Sequence, residues 1–172
     1  SSFCIKDGGI LLSDVFINSY VLSRIASEAL SVYVFILTIG SRIDIEIEEA
    51  NKNGKYFRAQ VLDACGSVLV ETIADKFMHD IEVQLLDSDY ALSAPYSPGY
   101  CDISIDQQSP IFSILRDQNI SVILTETYQM IPLKSISGLF FKIRKRDAER
   151  FKRYYIFCSE CKNRLCRYYH HK

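Results

Sequence analysis

Between Lys55 and Ile81 an apolar stripe of Phe57, Val61, Cys65, Val68 with Leu69, Ile73, Phe77 and Ile81 recurs at the helical repeat for about seven turns. Only Gly66 stands against it. A chain with one such helix must arrange its remaining elements around it. Four-residue spacing also stacks Ser67, Glu71 and Asp75 on a polar flank, where solvent exposure is the simplest expectation. With 172 residues, 48% of them hydrophobic, the chain is one domain's worth and can bury a core, which excludes disordered and collagen-like classes.

Other elements follow from local pattern. Ser13 before Asp14, then Val15, Ile17, Val21, Leu22, Ile25 and Leu30, predicts an N-capped amphipathic helix ending before Val32. The β-branched and aromatic run Val32 to Leu37, stopped by Gly40, predicts a buried strand. Ser41 opens a second helix through Ala50, closed by Asn51, Asn53 and Gly54. Pro95, Ser97, Pro98, Gly99 and Tyr100 exclude regular structure and predict a conformationally fixed loop. Ser109 and Pro110 begin a short helix that Asn119 ends. Strands are expected at Ser121 to Leu124 and Ser137 to Ile143, and a basic helix from Lys145 to Tyr155. The elements add up to one α+β domain, a mixed or antiparallel twisted sheet flanked by helices.

Charge is unevenly spread. From Lys142 onward there are 11 basic residues against three acidic ones, an excess of plus 8, and the first 141 residues carry minus 9. A basic end on an acidic body points to an acidic partner or to a solvated helix face. The longest apolar stretch, Leu30 to Ile39, is about half the ~20 residues a membrane span needs, and Lys6 and Asp7 interrupt any leading apolar block. A cytoplasmic protein is expected.

Familiar catalytic patterns are missing: there is no dinucleotide or phosphate-binding glycine loop, His-Glu-x-x-His or nucleophile elbow. The histidines are His79, on the long helix, and His170 and His171, which argues against a histidine-based hydrolase. Near the C-terminus Cys158, Cys161, Cys166 and His170 are spaced Cys-x2-Cys-x4-Cys-x3-His. Three thiolates and an imidazole can hold zinc, and the thiolates alone can ligate an iron–sulfur cluster. The interleaved Tyr154, Tyr155, Tyr168 and Tyr169 leave stacking on single-stranded nucleic acid as a lesser alternative, and idle thiols as the plain one.

Two further segments offer backbone polar groups, hydroxyls and an aromatic face, which suit a polar ligand carrying a flat ring. The first runs from Tyr96 through Ser97, Pro98, Gly99, Tyr100 and Cys101 to Asp102. The second contains Leu124, Thr125, Glu126, Tyr128, Met130, Pro132, Ser135, Ser137 and Gly138. In this order they resemble the activation (reactivation) domain of vitamin B12-dependent methionine synthase, especially its stand-alone relatives. That family carries an Arg-x-x-Pro-Gly-Tyr loop, then a Leu-Thr-Glu-Ser-aromatic-x-Met-x-Pro segment ending in Ser-Val-Ser-Gly. The sequences Thr38-Ile39-Gly40 and Asp63-Ala64, Gly66-Ser67 with Glu71 are also similar to the stand-alone relatives.

The resemblance implies an activation-domain-like unit over residues 1–150 and a basic, cysteine-rich extension over 151–172. It implies S-adenosylmethionine in a shallow groove, bound by Ser97, Pro98, Gly99 and Tyr100 with Glu71, Glu126, Tyr128, Ser137 and Gly138 as further site residues. It also implies an accessory role, with no catalytic residue of its own: cobalamin sits on a partner corrinoid-dependent methyltransferase, a flavodoxin-type donor supplies an electron, and S-adenosylmethionine supplies the methyl group. Methionine synthase activity would need that partner's modules. The chain departs from the family at Pro95, where the loop arginine stands, and at Phe140, where the synthase domain has tyrosine. Losing a charge-assisted contact at Pro95 predicts weak binding. The alternative is a metal-binding or redox module that keeps the groove without the methyl donor.

Overall fold

Alternation at Ile10, Leu12, Val15 and Ile17 turns one side of the first segment toward the core, and this segment is a β-meander. In the computed structural model, which describes residues 3–151, strands β1 (Phe3–Lys6), β2 (Gly9–Leu12) and β3 (Val15–Asn18) form an antiparallel sheet in that order. Ser13 therefore begins no helix. It sits at φ 52° in the β2–β3 turn, and Val15 and Ile17 obey the period of a strand. The helix expected from Ser13 is only α1 (Tyr20–Ala26), capped by Ser19, whose hydroxyl accepts from the backbone N–H of Leu22.

A second antiparallel sheet has the order β4 (Ala29–Thr38), β8 (Ser135–Arg144), β5 (Tyr90–Leu92). The register of β4 on β8 runs from Ala29 opposite Ile143 to Thr38 opposite Ser135, with a bulge between Ala29 and Ser31. Being central, β8 is covered on both faces. Leu139, Phe141 and Ile143 join the main core with β2, β3 and α1, while Phe140 on the other face joins Phe35 and Leu92. That second cluster is closed by Phe77, Met78 and Ile81 of α3 (Tyr56–Gln84).

Helix α2 (Arg42–Lys52) turns through Gly54, at φ +69°, into α3, as the stop signals predict. The apolar stripe of α3, however, is not its buried side. Residues spaced strictly by four fall behind the 3.6-residue turn by about 40° per step, so the row from Phe57 to Ile81 winds some 240° around the helix, roughly two-thirds of a circumference. Its end, Phe77 and Ile81, reaches the sheet, whereas Phe57, Val61, Cys65, Val68, Leu69 and Ile73 are exposed. The buried residues are Ala59, Gly66, Val70 and Ala74. Gly66 is a contact point rather than a flaw, since a Cβ there would lie 2.9 Å from Ile43 and 3.0 Å from the Lys134 stem.

Helix α4 (Gln108–Ile114) carries Pro110 in its first turn and stops at Leu115, before Asn119. The strand expected from Ser121 shortens to β6 (Ile123–Leu124), paired with β7 (Met130–Ile131) and followed by a cis Ile131–Pro132 peptide. The basic segment begins as a 3-10 turn, Lys145–Asp147, before α5 (Ala148–Phe151). The remainder of that expected helix, with Cys158, Cys161, Cys166 and His170, lies outside the described residues. Among the described residues no helix is long and apolar enough to cross a membrane.

Candidate functional site

Beyond Leu92 the chain stays on β8. The Ser93 N–H donates to the Phe141 carbonyl (2.9 Å) and the Phe141 N–H to the Ser93 hydroxyl (3.0 Å); Tyr96 and Leu139 exchange both backbone bonds at 2.8 and 2.9 Å. Pro95 occupies the step between, on the sheet edge, where a missing N–H costs nothing. Ser97 to Tyr100 then turn, with Tyr100 N–H donating to the Ser97 carbonyl (3.2 Å) and Gly99 at φ +94°. The Gly99 N–H reaches the Ile103 carbonyl at 2.8 Å, and the Ile103 N–H returns to Tyr100 at 3.0 Å. Pro98 is buried, and Tyr100 presents its ring to solvent, 56% exposed.

Asp102 fixes the far end of this loop. Its carboxylate accepts from the Ser19 hydroxyl (2.6 Å) and from the N–H groups of Tyr20 (2.8 Å) and Val21 (3.2 Å), so the loop caps α1 across more than 80 residues of sequence. Asp102→Ala removes a charged acceptor from three donors. The expected loss is about 2 kcal/mol, lowering the melting temperature by roughly 4–8 °C in a thermal denaturation scan. Nearby, hydrogen bonds from the Ser104 hydroxyl and then the Gln107 amide hold the exposed Asp106 carboxyl below its ordinary value.

Gly138 lets the loop lie on the sheet. An added Cβ there would stand 2.6 Å from the Tyr96 carbonyl oxygen and 2.9 Å from the Ser97 hydroxyl. Loop and strand thus touch at a position that admits no side chain.

Helix α3 packs on the same face of β8, the one that carries Phe140. Lys134, its side chain only 12% exposed, donates to Asp63 (2.7 Å) and Ser67 (3.0 Å), and its stem covers Gly66. Further along, Phe140 packs on Phe77 with ring centroids 6.1 Å apart. Strand and helix therefore run side by side in one direction: about 20 Å of strand from 134 to 140 matches about 16 Å of helix from 66 to 77. Gly138 falls level with the turn of α3 that begins at Glu71. Glu71 is exposed and stands one turn beyond Ser67 on the flank that Lys134 reaches.

Other expected site residues are placed differently. The Ser137 hydroxyl is buried and donates to the Gln108 side chain of α4, on the opposite face of β8 from Gly138. Glu126 and Tyr128 lie in the β6–β7 turn, where Tyr128 takes φ 62° and Thr125 bonds Gln129 from its backbone N–H (2.9 Å) and receives its N–H on the hydroxyl (3.0 Å). Phe140 is completely buried, stacked on Tyr33 at 5.0 Å and tilted against Phe35 at 5.8 Å. Asp102 and Lys134 hold the loop and α3 in place, each through a partner at least 71 positions away, so these roles follow from no local spacing. No group of three or more histidine, cysteine or acidic side chains able to hold a metal occurs among the described residues.

A search of solved structures returns the MetH reactivation domain bound to AdoHcy, at a TM-score of 0.58 and 18% identity, covering 66% of this chain and 40% of that one. The chain has the fold of the MetH reactivation domain. At this identity the likeness is one of fold, and it spans less than half of the neighbour's length. No protein-family model matches the sequence, and no curated protein matches it.

Proposed function

We propose that the protein is an accessory to a corrinoid-dependent methyltransferase and binds S-adenosylmethionine between the 96–100 loop and α3, supporting reductive remethylation of the partner's cofactor. The observation that carries the reading is the loop itself, pinned to Gly138 and Leu139 at one end and to α1 at the other. Ser97 to Tyr100 are held there in a fixed path. The MetH reactivation domain shares the fold and was crystallised with AdoHcy, the thioether left when S-adenosylmethionine has given up its methyl group.

The residues present suit most of such a ligand. The exposed Tyr100 ring offers a stacking face for adenine, and the Glu71 carboxylate, level with Gly138, offers an anion to the amino group or the sulfonium. At Pro95 there is no cation for the ligand's carboxylate. Held by the 97–100 loop, Tyr100 and Glu71, S-adenosylmethionine would supply the methyl group and leave as its thioether, and a one-electron-reduced corrinoid borne by the partner would supply the nucleophile. This chain's part is binding and orientation.

Calorimetric titration with S-adenosylmethionine should give weak binding in the native protein. Pro95→Arg should tighten it by roughly tenfold or more, the worth of one charge-assisted contact. Absence of heat in both proteins would refute the methyl-donor reading and leave the groove to a binding or redox module.

A further inference from the structure

Residues 152–172 continue from a fixed point in the fold. Phe151 is buried in the main core, and its carbonyl accepts from the Ala94 N–H at 3.0 Å, two residues before the Tyr96 bridge. A segment as short as the one that follows is too small to bury a core of its own, and units of that size are commonly held by a metal or by disulfides.

Its cysteines are grouped as nowhere else in the chain. Cys158, Cys161 and Cys166 are three of the six in the sequence and fall within nine residues, whereas Cys4 is on β1, Cys65 on α3 and Cys101 next to Tyr100 in the loop. Disulfide pairing within the group leaves one thiol over, because the number is odd. Metal ligation uses all three. Two residues separate Cys158 from Cys161 and three separate Cys166 from His170, both within the spacings that bring a pair of ligands to one zinc ion. The intervening residues suit the charge of such a site. Zinc with three thiolates and a neutral imidazole carries one net negative charge, and Lys162, Arg164 and Arg167 stand among the ligands with Glu160 as the one acid between them. The fourth ligand selects the metal: an imidazole closes the tetrahedron around zinc, whereas three thiolates alone leave one iron of a cluster open.

We propose that Cys158, Cys161, Cys166 and His170 bind one structural zinc ion in the segment that continues from Phe151. The proposal does not depend on the S-adenosylmethionine reading. The full chain, purified anaerobically without chelators, should be colourless and carry one zinc per chain by elemental analysis. Cys158→Ser and Cys161→Ser should each lose the metal, while Cys4→Ser and Cys65→Ser keep it. In the native chain stripped of metal and kept reduced, cobalt(II) should raise the visible absorption of a tetrahedral thiolate site, and zinc should displace it. His170→Ala should alter that spectrum where His171→Ala does not. Zinc retained in both Cys158→Ser and Cys161→Ser, no cobalt spectrum in the reduced chain, or an iron chromophore in the native protein overturns the proposal. So does a disulfide joining two of these three cysteines in the anaerobically prepared chain.

Discussion

Replacing Gly138 with alanine should cost about 3 kcal/mol in a urea unfolding titration and should abolish ligand binding at the loop. The added methyl would stand 2.6 Å from the Tyr96 carbonyl oxygen, a backbone atom that cannot swing aside as a side chain end can. It would also meet the Ser97 hydroxyl at 2.9 Å and Phe35 at 3.1 Å, so the crowding comes from loop and neighbouring strand together. Relief requires the Tyr96–Leu139 bridge to open. Two backbone hydrogen bonds are then lost, and with them the anchorage of the 96–100 loop. A variant as stable as the native protein would contradict the placement of the loop on β8.

Phe140→Ala should destabilise the domain by about 3–5 kcal/mol, the largest effect expected of any aromatic truncation in the second cluster. The ring has no exposed surface and touches Tyr33, Phe35 and Phe77, so its removal leaves a cavity between the sheet and α3. Phe140→Tyr, which restores the residue of the resembling synthase domain, should also destabilise, by roughly 1–3 kcal/mol, because a hydroxyl enters an apolar cluster. Denaturant midpoints of the two variants check both values. Improved ligand binding by Phe140→Tyr without loss of stability would mean that the ring faces the groove.

The loop was legible in the sequence because its constraints are local: Pro95 and Pro98 fix φ wherever they occur, and Gly99 admits the positive φ that the turn requires. The extent of α3 was legible for the same reason, but its buried side was not. A four-residue row winds around a helix, and only Phe35 and Phe140 on the sheet decide that Phe77 is packed while Phe57 is not. In the first segment Val15, Ile17, Val21 and Leu22 satisfy a helix on paper, yet the Ser13 turn assigns the first two to a strand. The joining of Asp102 to α1, of Ser137 to Gln108 and of Lys134 to Asp63 is tertiary information that no spacing in the chain contains. The same holds for Glu71, which comes level with Gly138 along the sheet only because β8 and α3 run in one direction.

Amide chemical-shift mapping with S-adenosylhomocysteine tests most directly the proposed adenosyl-ligand groove between the pinned 96–100 loop and α3. Saturable shifts should concentrate at Ser97, Gly99, Tyr100, Gly138 and the turn of α3 around Glu71, and should weaken in Glu71→Gln. Shifts confined to another part of the domain, or none at ligand concentrations in the millimolar range, would contradict the account.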